Sequence, residues 1–299
     1  MYSGSVLGRH WPPFMTLLEK RMRGLTTDLS AAVSRLAEKT VAPKAVHRLR
    51  TTVRRIESLI SYTHPDLDKK LERSLEKLTD LRKRAGRVRD MDVQIDLLGV
   101  VANGSTVKDR KTLADLLGKK RDRQMQRLVS AVQKLQESKF FARMGRIAEK
   151  AGAMPEGENR PLAPLEEARA QLVEMASDFS FHQKLKVSRL HDARITLKRI
   201  RYLAELAEES AEQKDFIGEL KAVQDAVGDW HDWLELAGTA EKRFSDRVNC
   251  ALLREVRALL ADRHSTAMSS ITNLFASVLA PARKPPRPEP SVRTFARHA

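Results

Sequence analysis

The sequence predicts an all-α fold built from two four-helix bundles. Apolar residues recur at helical spacing along almost the whole chain, and no convincing run alternates between apolar and polar residues as a half-buried strand would. Proline, glycine and asparagine interrupt this periodicity where helices are expected to end. Two basic helices of similar sequence begin 144 positions apart, which indicates an internal duplication. A chain of 299 residues is long enough to bury a substantial core.

The apolar periodicity predicts eight helices, and three features mark the ends of the early ones. Pro43 suits the first turn of a helix, where its missing N–H has no partner to lose. Pro65 follows a helix end, and Asn103, Gly104 and Ser105 interrupt the chain before the next periodic segment. The predicted helices are 14–40, 44–62, 66–101, 107–150, 162–180, 183–209, 212–242 and 246–279.

A change in composition divides the helical region, residues 12–280, into two halves. Residues 151–164, AGAMPEGENRPLAP, are rich in glycine and proline and predict a linker. The first repeat is then about 12–150 and the second about 165–280. Residues 281–299 are rich in proline and basic residues and have no periodicity, so we expect a disordered or extended basic tail.

The charge balance predicts a polyanionic partner. Lysine and arginine number 55 against 39 aspartate and glutamate residues, which gives a formal net charge of +16. A surface this basic concentrates and steers anions through its summed field. Nucleic acid, acidic lipid and inorganic polyphosphate all satisfy that requirement. An aromatic content of 5% disfavours a single-strand nucleic-acid binder built on base stacking.

Cysteine usage and hydropathy bear on the compartment. The single cysteine, Cys250, excludes a disulfide framework and a multi-cysteine metal site, and favours a reducing compartment. The first residues lack the positive start and apolar stretch of a signal peptide, and nowhere do 18 apolar residues run together. We therefore expect a cytoplasmic protein that does not enter the membrane.

The duplicated helices carry a basic stripe at the same spacing. In the first helix, His47 is followed by Arg50, Arg54 and Arg55. The second repeats the pattern with His191, Arg194, Lys198 and Arg199. At 100° per residue, the stripe runs along one edge of an apolar seam in both helices. A solvated amphipathic face would explain one such helix. Two helices spaced alike favour a shared purpose, although inherited duplication without function also fits.

A second pair of strings supports the duplication. AGRVRD and VGDWHD place Gly86 and Gly228, and likewise Asp90 and Asp232, 142 positions apart. Two matches at nearly one offset favour two bundles packed about an approximate twofold axis. If the two basic stripes face each other, they form a positive groove or pore between the bundles.

These residues resemble the CHAD family, the conserved histidine α-helical domain. Its pattern HxxRxxx(R/K)R matches His47 onward and again His191 onward, and the second copy continues to Arg201 and Tyr202. An LGxxRD-like string corresponds to AGRVRD, with Arg89 and Asp90. An LKxxQDxxGxxxD pattern corresponds to Leu220, Lys221, Gln224, Asp225, Gly228 and Asp232. The resemblance covers roughly residues 12–280.

The resemblance implies two four-helix repeats, a basic central pore or groove, binding of inorganic polyphosphate and no catalysis by this domain. We expect direct phosphate contacts from Arg50, Arg54, Arg55, Arg194, Lys198, Arg199 and Arg201. Tyr202 completes the second motif, and His47 and His191 would donate ring N–H groups. Arg82, Arg89 and Lys221 form a second set, for which pairing with carboxylates is the alternative role. Sulfate or phosphate ions would mimic the ligand.

The sequence departs from the family pattern at two positions. Glu57 stands where first-repeat members often have arginine, and Asp192 follows His191 where a basic residue is common. The chain also lacks the ExExK motif of members fused to a triphosphatase. We expect Asp90 and Asp232 to orient arginines rather than bind a metal, and the remaining histidines form no spaced ligand set. We therefore expect neither a metal site nor a cofactor.

Three classes of function remain open at the level of sequence. The first is a polyphosphate-binding module, with polyphosphate granules as a candidate location. The second is a nucleic-acid-binding protein that uses the same basic surface, although no helix-turn-helix or zinc finger is evident. The third is an enzyme acting on phosphoanhydrides, which would need a base and metal-binding carboxylates near the groove.

Overall fold

The computed structural model describes residues 13–36, 43–63, 68–101, 106–150, 163–180, 187–247 and 249–280. These ranges contain nine α-helices and no β-strand, so the predicted all-α class is confirmed. The predicted basic tail, residues 281–299, and nearly all of the predicted linker lie outside the described residues.

Five helices form the first half of the chain. They are α1 (Pro13–Leu36), α2 (Pro43–Thr63), α3 (Lys69–Val100), α4 (Val107–Gln136) and α5 (Phe140–Lys150). Pro43 begins α2, as its fixed φ favours. The Asp68 carboxylate caps α3 by accepting from the backbone N–H groups of Lys70 and Leu71 at 2.8 Å.

Four helices form the second half. They are α6 (Pro164–Ser180), α7 (Val187–Ala204), α8 (Ala211–Phe244) and α9 (Ala251–Leu279). The Ser210 hydroxyl caps α8 by accepting from the backbone N–H of Gln213 at 3.1 Å. Seven of the eight predicted helical segments correspond to single helices here, with ends shifted by at most five residues.

The prediction of one helix over residues 107–150 is wrong, because the segment breaks at residues 137–139 into α4 and α5. The backbone N–H of Ser138 donates to the Leu135 carbonyl at 3.2 Å, and its hydroxyl donates to the same carbonyl at 2.7 Å. This tight turn lets α5 fold back onto α1 and buries Phe140 completely. The first half therefore holds five helices rather than four.

Helix α7 ends at Ala204, five residues before its predicted end. Arg21 of α1 donates hydrogen bonds to the backbone carbonyls of Glu205 and Ala207, the latter at 2.6 Å. Carbonyls at a helix C-terminus lack intrahelical partners, and a cation is favourable there. The chain can therefore leave the helix at this point because α1 satisfies carbonyl groups of the residues that directly follow α7.

Within each half, helices that follow one another in the chain pack side by side, and between the halves α2 packs on α7 and α3 on α8. The apolar seams predicted for the duplicated helices are buried, each member at most 1% exposed. They comprise Val46, Leu49, Val53, Ile56 and Ile60 in α2 and Leu190, Ala193, Leu197, Ile200 and Ala204 in α7. One large apolar cluster contains both seams, so the two helices share a core.

Among the described helices, none combines the length and the hydropathy that crossing a bilayer requires.

Candidate anion-binding site

The contact between α2 and α7 brings basic side chains of both helices to one cleft. This central cleft has a volume of about 970 Å³ and lies between α2, α3, α6 and α7. Of the residues predicted from the sequence, those lining it are Arg54, Arg82, His191, Arg194, Lys198, Arg199 and Tyr202. The buried seams point into the core, so the basic edges beside them border the same space.

Arg50, Arg54, Arg194 and Lys198 form a group that we call the cation cluster. Burial lowers the pKa of Arg50 and of Arg194, and in each case a guanidinium of the opposite helix lowers it further. The pKa of Lys198 falls to about 6 because of burial first and then Arg194, Arg54 and Arg50. Lys198 is therefore largely neutral at pH 7 when no anion is bound.

Two carboxylates lie beside the cation cluster, on α3 and α8. Asp90 Oδ1 lies 3.5 Å from Arg50 Nη1. Asp232 interacts electrostatically with Arg194 and Lys198, and burial nevertheless raises its pKa. Neither Arg194 nor Lys198 has a carboxylate within ion-pair distance among the described residues, and the buried Arg194 Nε has no hydrogen-bond partner there. The site thus holds more basic groups than close counter-ions.

Other predicted contact residues are already paired with carboxylates. Arg55 Nε donates to Glu205 Oε2 at 2.7 Å, and Arg201 lies 3.6 Å from the other oxygen of Glu205. Arg82 Nε lies 2.7 Å from Glu57 Oε2, while the Thr79 hydroxyl donates to Glu57 Oε1 at 2.7 Å. Arg82 therefore has the carboxylate-pairing role that the sequence left open as its alternative, and Glu57 is its partner.

The sequence of this chain also matches a known protein family. The CHAD domain model matches residues 22–241, which is most of the chain. This chain belongs to the CHAD domain family. The match includes α2, α3, α7 and most of α8, the four helices that supply the cation cluster and its carboxylates.

Solved structures show the same fold. The CHAD domain from the plant Ricinus communis aligns over 93% of this chain and 96% of its own, with 15% identity and a TM-score of 0.68. PptA from Streptomyces chartreusis aligns over 89% of this chain and 99% of its own, with 17% identity and a TM-score of 0.60. A comparison with curated protein sequences finds no match.

The histidines of this CHAD domain differ in their surroundings. His47 is exposed on α2, and its pKa is lowered by burial of part of the ring and then by Arg89, Arg50 and Arg54. His191 lines the central cleft, and its ring centroid lies 5.1 Å from that of His231 on α8. Burial and then Arg194, His191 and Lys198 lower the pKa of His231 to about 3.

The sequence did not single out His231, which is one of the histidines that form no spaced ligand set. Its Nδ1 is buried without a hydrogen-bond partner among the described residues. A signal was present in the sequence, because His231 stands 142 positions after Arg89, the same offset that relates Asp232 to Asp90. Because Arg89 is a candidate phosphate contact, its counterpart His231 is a candidate as well.

The remaining predicted residues differ in where they lie relative to the central cleft. Arg54 makes a side-chain hydrogen bond with Tyr202, and Arg201 lies over the Tyr202 ring at 4.9 Å from its centroid. Arg199 is exposed at the edge of the central cleft. Lys221 is exposed on α8 and is not among the residues that line the central cleft, so the structure does not bring it to the others.

No three histidine, cysteine, aspartate or glutamate side chains of the described ranges are grouped so that they could hold a metal ion. Asp90 and Asp232 have basic neighbours, which would repel a bare cation.

Replacing Lys198 with methionine should stabilise the free protein. The folded state holds the pKa of Lys198 near 6, whereas the unfolded chain keeps the ordinary lysine value, so the unfolded state binds more protons between about pH 6 and pH 10. The free energy of unfolding of the wild type should therefore rise with pH in that window, and the penalty is complete below about pH 6.

We expect Lys198→Met to melt about 2–4 °C above the wild type at pH 6, with a smaller difference at pH 9. Thermal unfolding followed by circular dichroism at low salt measures this difference. Lys242→Met, which changes an exposed lysine near the end of α8, is the control and should show no such gap. Equal melting temperatures of Lys198→Met and wild type at pH 6 would contradict the prediction.

Proposed function

We propose that this CHAD domain binds inorganic polyphosphate in the central cleft, through basic side chains of α2 and α7. The function that we infer is binding without catalysis and without a metal or other cofactor. The observation that carries this proposal is the cation cluster, in which two helices from different halves of the chain place basic groups together with too few counter-ions.

The electrostatics of the cation cluster favour a phosphate ligand. Basic groups that lower one another's pKa gain stability when an anion enters between them. Phosphate oxygens can accept charge-assisted hydrogen bonds from Arg54 and Arg194, and guanidinium groups suit this because their planar fork can hold two oxygens. The unpartnered Arg194 Nε would be satisfied by such a ligand.

The shape of the central cleft favours a polymer over a single phosphate ion. On α7, lining residues extend from His191 to Leu203, which corresponds to about 18 Å at 1.5 Å per residue. His191, Arg194, Lys198 and Arg199 are distributed along the first part of that length, so several successive phosphates would each meet a basic side chain.

We propose that the two halves are repeats related by pseudo-twofold symmetry. Their helices correspond as α1 to α6, α2 to α7, α3 to α8 and α4 to α9, with α5 as an addition to the first. The contacts between halves join corresponding helices, α2 with α7 and α3 with α8, which is the pattern that a twofold axis between them would produce. Such an arrangement would explain why the central cleft collects the same motif twice.

Nucleic acid is the alternative ligand for the same surface. The aromatic rings that line the central cleft, apart from His191, are Tyr62 and Tyr202, and both tyrosines are largely buried, so neither presents a free face for base stacking. This favours a ligand without bases. Granules of polyphosphate in the cytoplasm are the location that we propose, because the ligand is concentrated there.

Removing two members of the cation cluster should weaken polyphosphate binding. We expect Arg54→Ala with Lys198→Ala to lower the affinity by at least about 100-fold, because each of the two lost charge-assisted hydrogen bonds contributes about 1.5–3 kcal/mol. The slope of log K against log salt should fall by roughly 1.4 for two lost contacts. Isothermal titration calorimetry at several salt concentrations measures both quantities.

The matched control is Lys242→Ala with Arg254→Ala, which removes one lysine and one arginine from exposed positions on α8 and α9. The control should bind as the wild type does apart from a small loss of net charge. Equal effects of the two double variants would reject the central cleft as the binding site, provided that circular dichroism shows unchanged helicity.

Polyphosphate binding should take up a proton at neutral pH. The group that we expect to gain it is Lys198, which faces Arg194 on its own helix, Arg50 and Arg54 on α2, and carboxylates and His231 on α3 and α8. An anion between these groups favours the charged ammonium. Affinity should therefore rise as the pH falls, by up to about tenfold per unit between pH 7.5 and 6.

Calorimetry in buffers of different ionisation enthalpy counts the protons taken up. Lys198→Arg is the control, since it keeps a cation in place that needs no proton, and its affinity should change much less with pH. A wild-type affinity independent of pH over this range would show that the ammonium is already charged in the free protein.

Competition between polyphosphate and DNA separates the two ligand classes. Because the lining of the central cleft has no exposed tyrosine, phenylalanine or tryptophan ring on which a base could stack, we expect polyphosphate to displace bound single-stranded DNA at equal charge concentration, and DNA to displace polyphosphate poorly. Fluorescence anisotropy of labelled DNA reports the exchange. Displacement that is equally easy in both directions would favour a nonspecific basic surface.

A further inference from the structure

A second cleft lies on the other side of α3, against α4. None of its lining residues belongs to the repeated basic motifs of α2 and α7. This outer cleft has a volume of about 570 Å³. Its basic residues are Lys77 and Arg84 from α3 and Arg123, Arg127 and Lys134 from α4. Apolar side chains, including Leu81, Ala131 and Leu135, and the polar side chains of Gln126, Ser130 and Ser138 complete the lining.

The register of α3 and α4 sets basic residues opposite each other across the outer cleft. Arg110 donates to the Val101 carbonyl at 2.7 Å, and Arg121 donates to Asp92 at 2.5 Å, so the helices run antiparallel. Continuing that register places Arg84 about level with Arg127, and Lys77 about level with Lys134. The two levels lie seven residues apart, which is about 10 Å along the helices.

The outer cleft has few counter-ions. Asp80 is the acidic residue in its lining, and its carboxylate accepts from Arg84 Nε at 2.7 Å. The other four basic residues, Lys77, Arg123, Arg127 and Lys134, have no carboxylate within 4 Å among the described residues. Basic side chains that face one another across a cleft repel each other, so this arrangement is stabilised when an anion enters.

The corresponding face of the second half lacks this charge. Buried Leu113, Leu128 and Val132 of α4 correspond to buried Val256, Ile271 and Phe275 of α9 at a constant offset of 143 positions. At that offset, the counterparts of Arg123, Arg127 and Lys134 are Thr266, Ser270 and Ser277. At the α3-to-α8 offset of 142, the counterparts of Lys77 and Arg84 are Glu219 and Ala226. Helix pairing in this fold therefore does not require the basic residues.

We propose that the outer cleft is a second binding site for inorganic polyphosphate, specific to the first half of the chain. This inference rests on the function proposed for the central cleft, whose ligand it shares. The lining contains no aromatic side chain on which a base would stack. A cleft between two adjacent helices also suits a thin flexible chain better than a rigid duplex about 20 Å across, whose phosphates lie on a wide surface.

The position of α3 between the two clefts gives the second site a consequence for long chains. Thr79 and Arg82 line the central cleft, whereas Lys77 and Arg84 line the outer cleft on the opposite face of the same helix. A polymer long enough to pass around the molecule can occupy both clefts at once. Its second contact is then intramolecular, which raises the overall affinity without a new type of interaction.

Calorimetric titration with short polyphosphate chains, which cannot reach both clefts, tests the proposal. We expect the wild type to bind two short chains. The outer variant, Arg123→Glu with Arg127→Glu, should bind only one. The central variant, Arg54→Ala with Lys198→Ala, should still bind a short chain in the outer cleft. For long chains, Arg123→Glu with Arg127→Glu should lose at least about tenfold in affinity. Both positions are exposed, and circular dichroism verifies that the variant is folded.

The matched control is Lys119→Glu with Lys120→Glu, which makes the same change of net charge at exposed positions of α4 outside the outer cleft. If the Arg123 and Arg127 variant binds short and long chains as this control does, the outer site is rejected. The proposal would also be overturned if Arg123→Glu with Arg127→Glu lost RNA binding but still bound two short polyphosphate chains. The outer cleft would then be a nucleic-acid site. A failure of the function proposed for the central cleft gives a different result. In that case Arg54→Ala with Lys198→Ala binds short chains as the wild type does.

Discussion

Burial of the basic side chains of α2 and α7, together with repulsion between them, is the constraint on which the central cleft depends. Burial lowers the pKa of Arg50, Arg54, Arg194 and Lys198, and at least one neighbouring guanidinium lowers each further, so the fold must hold these groups together against an electrostatic cost. The apolar seams of both helices supply the opposing free energy, because every member of those seams is almost fully buried in a shared core. Under the proposed function, stability and anion binding would compete at these positions, as often happens at functional sites.

The carboxylates of the site are distributed so that its edge is neutralised and its interior is not. Glu205 holds Arg55 of α2 together with Arg201 of α7, and Glu57 holds Arg82. These pairs join α2 to α7 and to α3, and Arg21 of α1 adds hydrogen bonds to the backbone just after α7, at Glu205 and Ala207. The interior cations are left with weaker compensation from Asp90 and Asp232. The paired edge fixes the helices, and the interior remains open to an anion.

The two clefts show how one helix can serve two surfaces. Helix α3 presents Thr79 and Arg82 to the central cleft and Lys77 and Arg84 to the outer cleft, since residues about half a helical turn apart point in opposite directions. The central cleft draws on both halves of the chain, whereas the basic charge of the outer cleft belongs to the first half alone. Under the duplication that we propose, positions that face solvent would be free to diverge, while the buried seams would keep their apolar spacing.

The sequence by itself determined the helices, the seams and the pairing of basic residues with them, because these follow from a local period of 3.6 residues and from proline and glycine at the ends. Its repeated spacing also singled out Arg54, Arg194 and Lys198, which the structure places at the central cleft. Only the tertiary structure decided that Arg55 and Arg82 are paired with Glu205 and Glu57, that α4 ends in a turn before α5, and that His231 lies against His191. The sequence did not predict the outer cleft either. Each of these depends on which side chains of different helices come within a few ångströms, and that distance is set by helix register and packing, which no local pattern encodes.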